Sequence, residues 1–182
     1  MRIGARRECL LAALLAVPGL AQAKSDGIET AGQAIAIALP IAAGGFTIAE
    51  DDWTGLAQLT ATTGTSVGTA FLLKYAVPEE RPDRSNKQSF PSDTAALAFA
   101  PATFLWDRYG WQYGVPAYLA AGFVGYSRVE SKQHHWWDVA ASAGLALGCD
   151  RLFTTRFRRA YNINADASLT PHSAFVSVNY NW

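Results

Sequence analysis

K-Y-A-V-P-E-E-R-P over Lys74–Pro82, F-P-S-D-T over Phe90–Thr94 and S-R-V-E-S-K-Q-H-H-W-W-D over Ser127–Asp138 are the pieces that organise this chain. Arg81 falls seven residues after Lys74, His134 six after Arg128, and Asp138 four after His134. Apolar runs separate the three pieces. The alternation of runs and turns puts Lys74, Ser92, Arg128 and His134 at helix tips on one end of a bundle. Three cations, a Ser at a helix start and a His–Asp pair are what a phosphoryl-transfer pocket needs. A phosphate presents several anionic oxygens, and its transfer is helped mainly by positioning and charge stabilisation. Lys74 offers a point charge, while Arg81 and Arg128 each offer a planar fork that holds two oxygens. The start of the helix after Ser92 adds backbone N–H donors and a positive dipole end, and Ser92 adds a hydroxyl.

Outward from these pieces, residues 29–49 predict a helix kinked at Pro40 and Gly44-Gly45. Glu50–Trp53 predicts an acidic turn, and 54–76 a second helix rich in small residues, suited to close packing. Both runs have the length to cross a bilayer. Pro78, Pro82 and Pro91 predict a loop over 77–91. Further helices are expected from Ser92 to Trp106, from Trp111 to Tyr126, and from His134 to Phe153. After Arg156–Arg159 the pattern changes to period two, with Val176, Val178, Tyr180 and Trp182 on one face. Tyr161–Leu169 is the expected hairpin partner, turning at Thr170-Pro171-His172. The end resembles the last strand of an outer-membrane barrel, but one hairpin closes no barrel; packing on the helical domain or on a second copy is the plainer reading. The fold class is thus mainly α: a bundle of about five helices, six if the N-terminal segment is retained, with a C-terminal β-hairpin.

The chain has 182 residues, half of them hydrophobic, with a formal net charge of zero. Such a balance gives no footing for nucleic acid. Its mean hydropathy of +0.05 is low for a protein built only of membrane spans. Arg2, Arg6 and Arg7, the short apolar run Cys9–Leu20 and Ala21-Gln22-Ala23 read as an export signal cleaved before Lys24. The alternative is a retained first membrane helix. The expected division is therefore a signal over 1–23, a helical domain over 24–155 and a hairpin tail over 156–182. Cys149 is then a lone thiol and reads as a core residue. Trp53, Trp106, Tyr109, Trp111 and Tyr113 fall at one end of the helical array, with Phe90, Tyr126, Trp136 and Trp137 at the other. Two such belts point to membrane contact.

The three pieces resemble the type 2 phosphatidic acid phosphatase/vanadium haloperoxidase superfamily, whose signature is K-x6-R-P, P-S-G-H and S-R-x5-H-x3-D. The first piece matches at Lys74, Arg81 and Pro82, and the third at Ser127, Arg128, His134 and Asp138. The second matches at Pro91 and Ser92, but Asp93-Thr94 stand where the family has Gly-His. The resemblance implies hydrolysis of phosphomonoesters or diphosphates in two steps without metal or other cofactor. Lys74, Arg81, Ser92 and Arg128 would bind phosphate. His134 would be the nucleophile that forms a phosphohistidine. Asp138 would accept a hydrogen bond from its other ring nitrogen and fix the tautomer. His135 is the rival to His134, out of the family register.

The family's His at position 94 protonates the leaving oxygen, which Thr94 cannot do. Asp93 is a possible substitute acid, provided that burial raises its pKa. Alternatively the substrate needs no acid, because a phosphate leaving group with a pKa near 6 departs far more readily than an alkoxide. A third outcome is a pocket that binds phosphate or a lipid phosphate without turnover. The expected partner is a phosphorylated lipid, such as an isoprenyl diphosphate, phosphatidic acid or lipid A, met at the periplasmic side of a bacterial inner membrane. Vanadate-dependent halide oxidation is the remaining class; the short chain and its apolar helices weigh against it.

Overall fold

The structure is a computed structural model that describes the backbone of residues 18–157, 162–170 and 173–181, and side chains from residue 26 to residue 157. Among the described residues, five helices make up its body: α1 (Pro18–Ala49), α2 (Trp53–Ala76), α3 (Asp93–Tyr109), α4 (Trp111–Glu130) and α5 (Trp136–Phe153). Each boundary has a local cause. Asp52 caps α2 by accepting the Gly55 N–H at 2.8 Å. Ser92 caps α3 by accepting the Ala95 N–H at 3.3 Å. Gly110, at φ 103°, ends α3, and its N–H returns to the Leu105 and Trp106 carbonyls; that left-handed conformation suits glycine.

α3 is the hub, packed against all four other helices. Its sequence explains why: Ala95, Ala96, Ala98, Ala100 and Ala102 let neighbouring backbones come close, and Phe104 fills the centre. Ala36, Ala43, Leu59, Ala117, Ala121 and Val124 complete the core. Cys149 is buried, as a core residue should be. At the end remote from the motifs, Arg108 and Asp52, both 5% exposed, form a buried ion pair. Tyr109 adds its hydroxyl to Asp52 at 2.6 Å, and Arg108 reaches the Thr155 carbonyl at 2.6 Å. This clamp ties the start of α2 to the ends of α3 and α5, because a buried charge must be met by partners on several sides.

Four boundaries differ from the sequence expectation by more than one residue. α1 starts at Pro18 rather than 29, continuing through Ala-Gln-Ala, a run of good helix formers. α3 continues to Tyr109. α4 continues to Glu130, so Ser127 and Arg128 sit on its last turn. α5 begins at Trp136, not His134, because His135 is extended (φ −86°, ψ 163°) and serves as the N-cap. His134 therefore lies ahead of the helix, and Asp138 is not stacked above it one helical turn on.

The outer face is apolar. Ile41, Leu72, Leu119 and Leu152 are 69, 68, 72 and 78% exposed. Trp53, Trp106, Trp111 and Tyr113 are exposed at one end, and Tyr126, Trp136 and Trp137 at the other. Tyr109, expected in the first belt, turns inward to Asp52 instead. Among the described residues, one helical segment, Asp26–Ala49, has the length and apolarity to cross a membrane; α2 has the expected length, 24 residues, but not the apolarity. Past α5 the backbone of β1 (Asn162–Thr170) pairs antiparallel with β2 (Ser173–Asn181), Asn162 opposite Asn181 and Thr170 opposite Ser173. Tyr161, Pro171, His172 and Trp182 lie outside the described residues, as do residues 1–17 of the expected signal.

Candidate active site

The motif residues meet at the α2, α3, α4 and α5 tips. The loop after α2 is held by short backbone contacts: Arg81 N–H to the Asn86 carbonyl at 3.0 Å, and Asp83 N–H to the Lys132 carbonyl at 3.0 Å. The second of these joins the first motif to the third. The turn after α4 hooks back on itself, with the Gln133 and His134 N–H groups both on the Arg128 carbonyl, at 3.1 and 3.2 Å. That turn sets His134 beside the end of α4.

Lys74 is 7% exposed. Its ammonium donates to the Gln88 carbonyl at 3.1 Å and pairs with Asp93 at 3.4 Å. Arg81 reaches Gln133 Oε1 through Nη1 at 3.5 Å, while its Nε is buried without a hydrogen-bond partner. Arg128 is 2% exposed and faces Glu29, with Nη1 3.6 Å from the carboxylate and Nη2 3.0 Å from the Glu29 carbonyl. Ser92 is fully buried; its Oγ accepts in the cap, which leaves its O–H free to donate elsewhere. The Ser92 carbonyl takes the Ser142 hydroxyl at 2.7 Å, fastening the start of α3 to α5.

His134 is 2% exposed, and its Nδ1 lies 2.7 Å from the Ser89 carbonyl. A carbonyl can only accept, so Nδ1 carries the proton and Nε2 carries the lone pair. Asp138 was expected to fill this role. Its Oδ2 is the more distant neighbour of Nδ1, at 3.5 Å. The carboxylate also takes the Ser89 hydroxyl at 2.5 Å and the His135 N–H at 2.8 Å. Burial pushes the Asp138 carboxyl up, but hydrogen bonds from His134, Ser89 and the His135 N–H outweigh it and hold it at about 2. Asp138 therefore orders the loop around His134, and Ser89 fixes the imidazole. The rival His135 is committed to the N-cap and stacks on Trp137, ring centroids 4.3 Å apart.

Asp93 accepts the Thr94 N–H at 3.0 Å and faces Lys74, with its side chain 43% exposed. It is an ion-pair partner at the rim of the pocket, not a buried acid. Glu79, His135 and Asp138 bring three possible metal-ligand atoms within 4.8 Å of one another. Two of them are already engaged: Trp137 Nε1 donates to Glu79 Oε1 at 2.7 Å, and Asp138 Oδ2 takes its two donors. Sequence reasoning missed Ser89, Gln133 and Glu29. Ser89 sits one residue before the second motif and Gln133 one before His134, so a wider window around each motif would have included both. Glu29 lies 99 residues from Arg128 in sequence, and no spacing pattern links them.

The arrangement defines a class before any comparison: a helical bundle that gathers Lys74, Arg81, Arg128 and an imidazole with a set tautomer at one tip. The chain belongs to the PAP2 superfamily, whose pattern matches residues 72–161. It is 31% identical over 131 residues to the lipid A 4'-phosphatase of Helicobacter pylori, covering 66% of each protein. It is 37% identical over 78 residues to the lipid A 1-phosphatase of Porphyromonas gingivalis, covering 41% of this chain and 17% of that one. The chain thus spans just under two thirds of the first relative and a small part of the second. The fold is similar to the crystal structure of Aquifex aeolicus LpxE, with a TM-score of 0.58 and 21% identity over 75% of this chain and 86% of that one. It is also similar to a transmembrane PAP2-type phosphatidylglycerolphosphate phosphatase from Bacillus subtilis, with a TM-score of 0.56 and 25% identity over 84% of this chain and 86% of that one.

Proposed function

We propose that this chain is a membrane-associated phosphatase that hydrolyses lipid phosphomonoesters or diphosphates through a phosphohistidine at His134. The observation that carries this is the buried His134, its Nδ1 committed to the Ser89 carbonyl and its Nε2 left as the nucleophile, at the tip that also gathers Lys74, Arg81 and Arg128. The phosphate would lie against the two guanidinium groups, the ammonium and the Ser92 hydroxyl. His134 Nε2 attacks phosphorus as the bond to the leaving oxygen breaks. Water then attacks the phosphohistidine, which releases inorganic phosphate and restores the imidazole. No step calls on a metal.

The relatives named for lipid A phosphatase activity support a lipid phosphate as substrate, and the candidates are lipid A, isoprenyl diphosphates and phosphatidic acid. The apolar outer face, two aromatic belts and the Asp26–Ala49 segment support contact with a bilayer. In this reading residues 1–23 are an export signal, 24–155 the phosphatase domain and 156–182 a hairpin tail. The pocket then works at the periplasmic side of the inner membrane. Sequencing the N-terminus of the mature protein tests this: Lys24 as the first residue supports the signal, and Met1 refutes it.

Thr94 supplies no proton to a departing alkoxide, and Asp93 is tied to Lys74. We therefore expect diphosphates to be preferred over alkyl monophosphates. Thr94 also favours the second reading, a pocket that binds lipid phosphate without turnover. Phosphate release from a lipid diphosphate and its monophosphate, by the native chain and by His134→Ala, separates the two. Release that needs His134 supports the phosphatase. Bound phosphate with no release from either substrate supports the binding protein.

A further inference from the structure

We infer that Glu29 is a built-in competitor for the phosphate pocket: in the resting protein its carboxylate takes the place of a substrate oxygen and must be exchanged for it. This rests on the phosphate-site reading above. Glu29 Oε1 receives Gln133 Nε2 at 2.5 Å and Gln33 Nε2 at 3.2 Å, and lies 3.6 Å from Arg128 Nη1. One anionic oxygen held by two amides and a guanidinium is the environment a phosphate oxygen would seek. The same Gln133 accepts from Arg81 through its other atom. Glu29 thus bridges the two arginines expected to grip the substrate.

The carboxylate is not delivered by a loose tail. One turn along α1, Gly32 packs so closely on α4 that an added Cβ would stand 1.9 Å from Ser127 Oγ. Arg128 also bonds the Glu29 backbone carbonyl at 3.0 Å. The carboxylate is therefore positioned by a helix crossing, while its two-methylene stem leaves it free to rotate out. Its residue is 24% exposed, at the edge of the pocket. A phosphate that enters must displace it, and the departing product phosphate is replaced by it. A substrate anchored by lipid has binding energy from its remote parts to set against this exchange; inorganic phosphate has none, so the pocket stays clear of product.

The test is binding of inorganic phosphate to the purified full chain, read by calorimetry, with product inhibition read in parallel. Glu29→Gln keeps the shape and the amide contacts but removes the charge. It should bind phosphate about tenfold more tightly, which corresponds to about 1.4 kcal/mol, and be inhibited by correspondingly less product. Glu29→Asp keeps the charge on a shorter stem and should fall between native and Gln; it carries the test alone if the Gln variant does not fold. Phosphate affinity unchanged or weaker in a folded variant overturns the inference and leaves Glu29 as an anchor for α1. Absence of phosphate binding in every form overturns it too. If affinity rises as expected while no lipid phosphate is hydrolysed, the competitor stands and the phosphatase reading falls. Hydrolysis through His134 with affinity unmoved is the reverse.

Discussion

Asp138→Asn separates the two roles that the His–Asp pair could play. The Asp138 carboxylate takes the Ser89 hydroxyl and the His135 N–H, with His134 Nδ1 more distant at 3.5 Å. An amide offers one oxygen to these donors and adds an N–H₂ in a fully buried site, where Oδ1 has no hydrogen-bond partner. The carboxyl is lowered from 3.8 to about 2 in the folded protein, which contributes about 2 kcal/mol of stability near neutral pH. Because the folded value is depressed, that stability is present above 3.8 and is lost as the pH falls through about 2. Denaturant unfolding in detergent should therefore show Asp138→Asn less stable by about 2 kcal/mol or more near neutrality. The gap should narrow as the pH falls through that window. A gap that stays constant or widens in acid refutes the assignment of the lowered carboxyl. Turnover supplies the second reading. Where an Asp alone fixes the imidazole tautomer, its amide costs about 10⁴ in kcat. Here the Ser89 carbonyl holds Nδ1 at 2.7 Å and survives the substitution, so the loss should be about a hundredfold or less. A loss near 10⁴ in folded protein would mean that Asp138, not Ser89, sets the nucleophile.

His134→Ala should abolish phosphate release by more than about a thousandfold, and acid-labile phosphate trapped during turnover should vanish with it. His135→Ala should instead cost about 1 kcal/mol of stability from the lost Trp137 stack and leave turnover within about tenfold; a larger loss of turnover would give His135 the chemical role. Thr94→His should raise turnover of an alkyl monophosphate by about tenfold or more with little change for its diphosphate, and a parallel change in both would show that leaving-group protonation is not what Thr94 lacks. Gly32→Ala should destabilise the chain by about 1–3 kcal/mol through overpacking. Pairing it with Ser127→Gly should restore thermal stability, whereas Ser127→Ala should not, since the Ser127 Cβ itself lies 2.6 Å from the added methyl.

The helices were legible because their causes are local. Apolar runs between Pro- and Gly-marked loops placed five helices, and motif spacing placed Lys74, Arg81, Ser92, Arg128 and His134 at one end of them. What was misread depends on contacts across the chain. His134 looked helical because the apolar pattern runs into it, but the Asp138 carboxylate caps the His135 N–H and ends the helix one residue short of it. The pairing of His134 with Asp138 expected from four-residue spacing is present at 3.5 Å; what the spacing did not show is a nearer partner for the same nitrogen, the Ser89 carbonyl, 45 residues away. A backbone carbonyl has no residue type, so no motif can announce it. Glu29 was invisible because only the crossing at Gly32 and Ser127 brings it to Arg128.

That crossing bears on a problem the three cations create. Lys74 and Arg128 are nearly fully buried, and a buried cation without a counter-charge costs several kcal/mol. A pocket shaped for phosphate must still fold when phosphate is absent. Here Asp93 pairs with Lys74 and Glu29 with Arg128, so two carboxylates from two helices offset the charge that substrate will later meet. Arg81 alone of the three keeps a buried donor without a partner. Placing Asp93 where the family has Gly, in the same motif that lost its His, brings the counter-charge to Lys74 and removes the proton donor together. The pocket is thereby neutralised at rest, and on the proposed reading turnover would be confined to substrates whose leaving group needs no help.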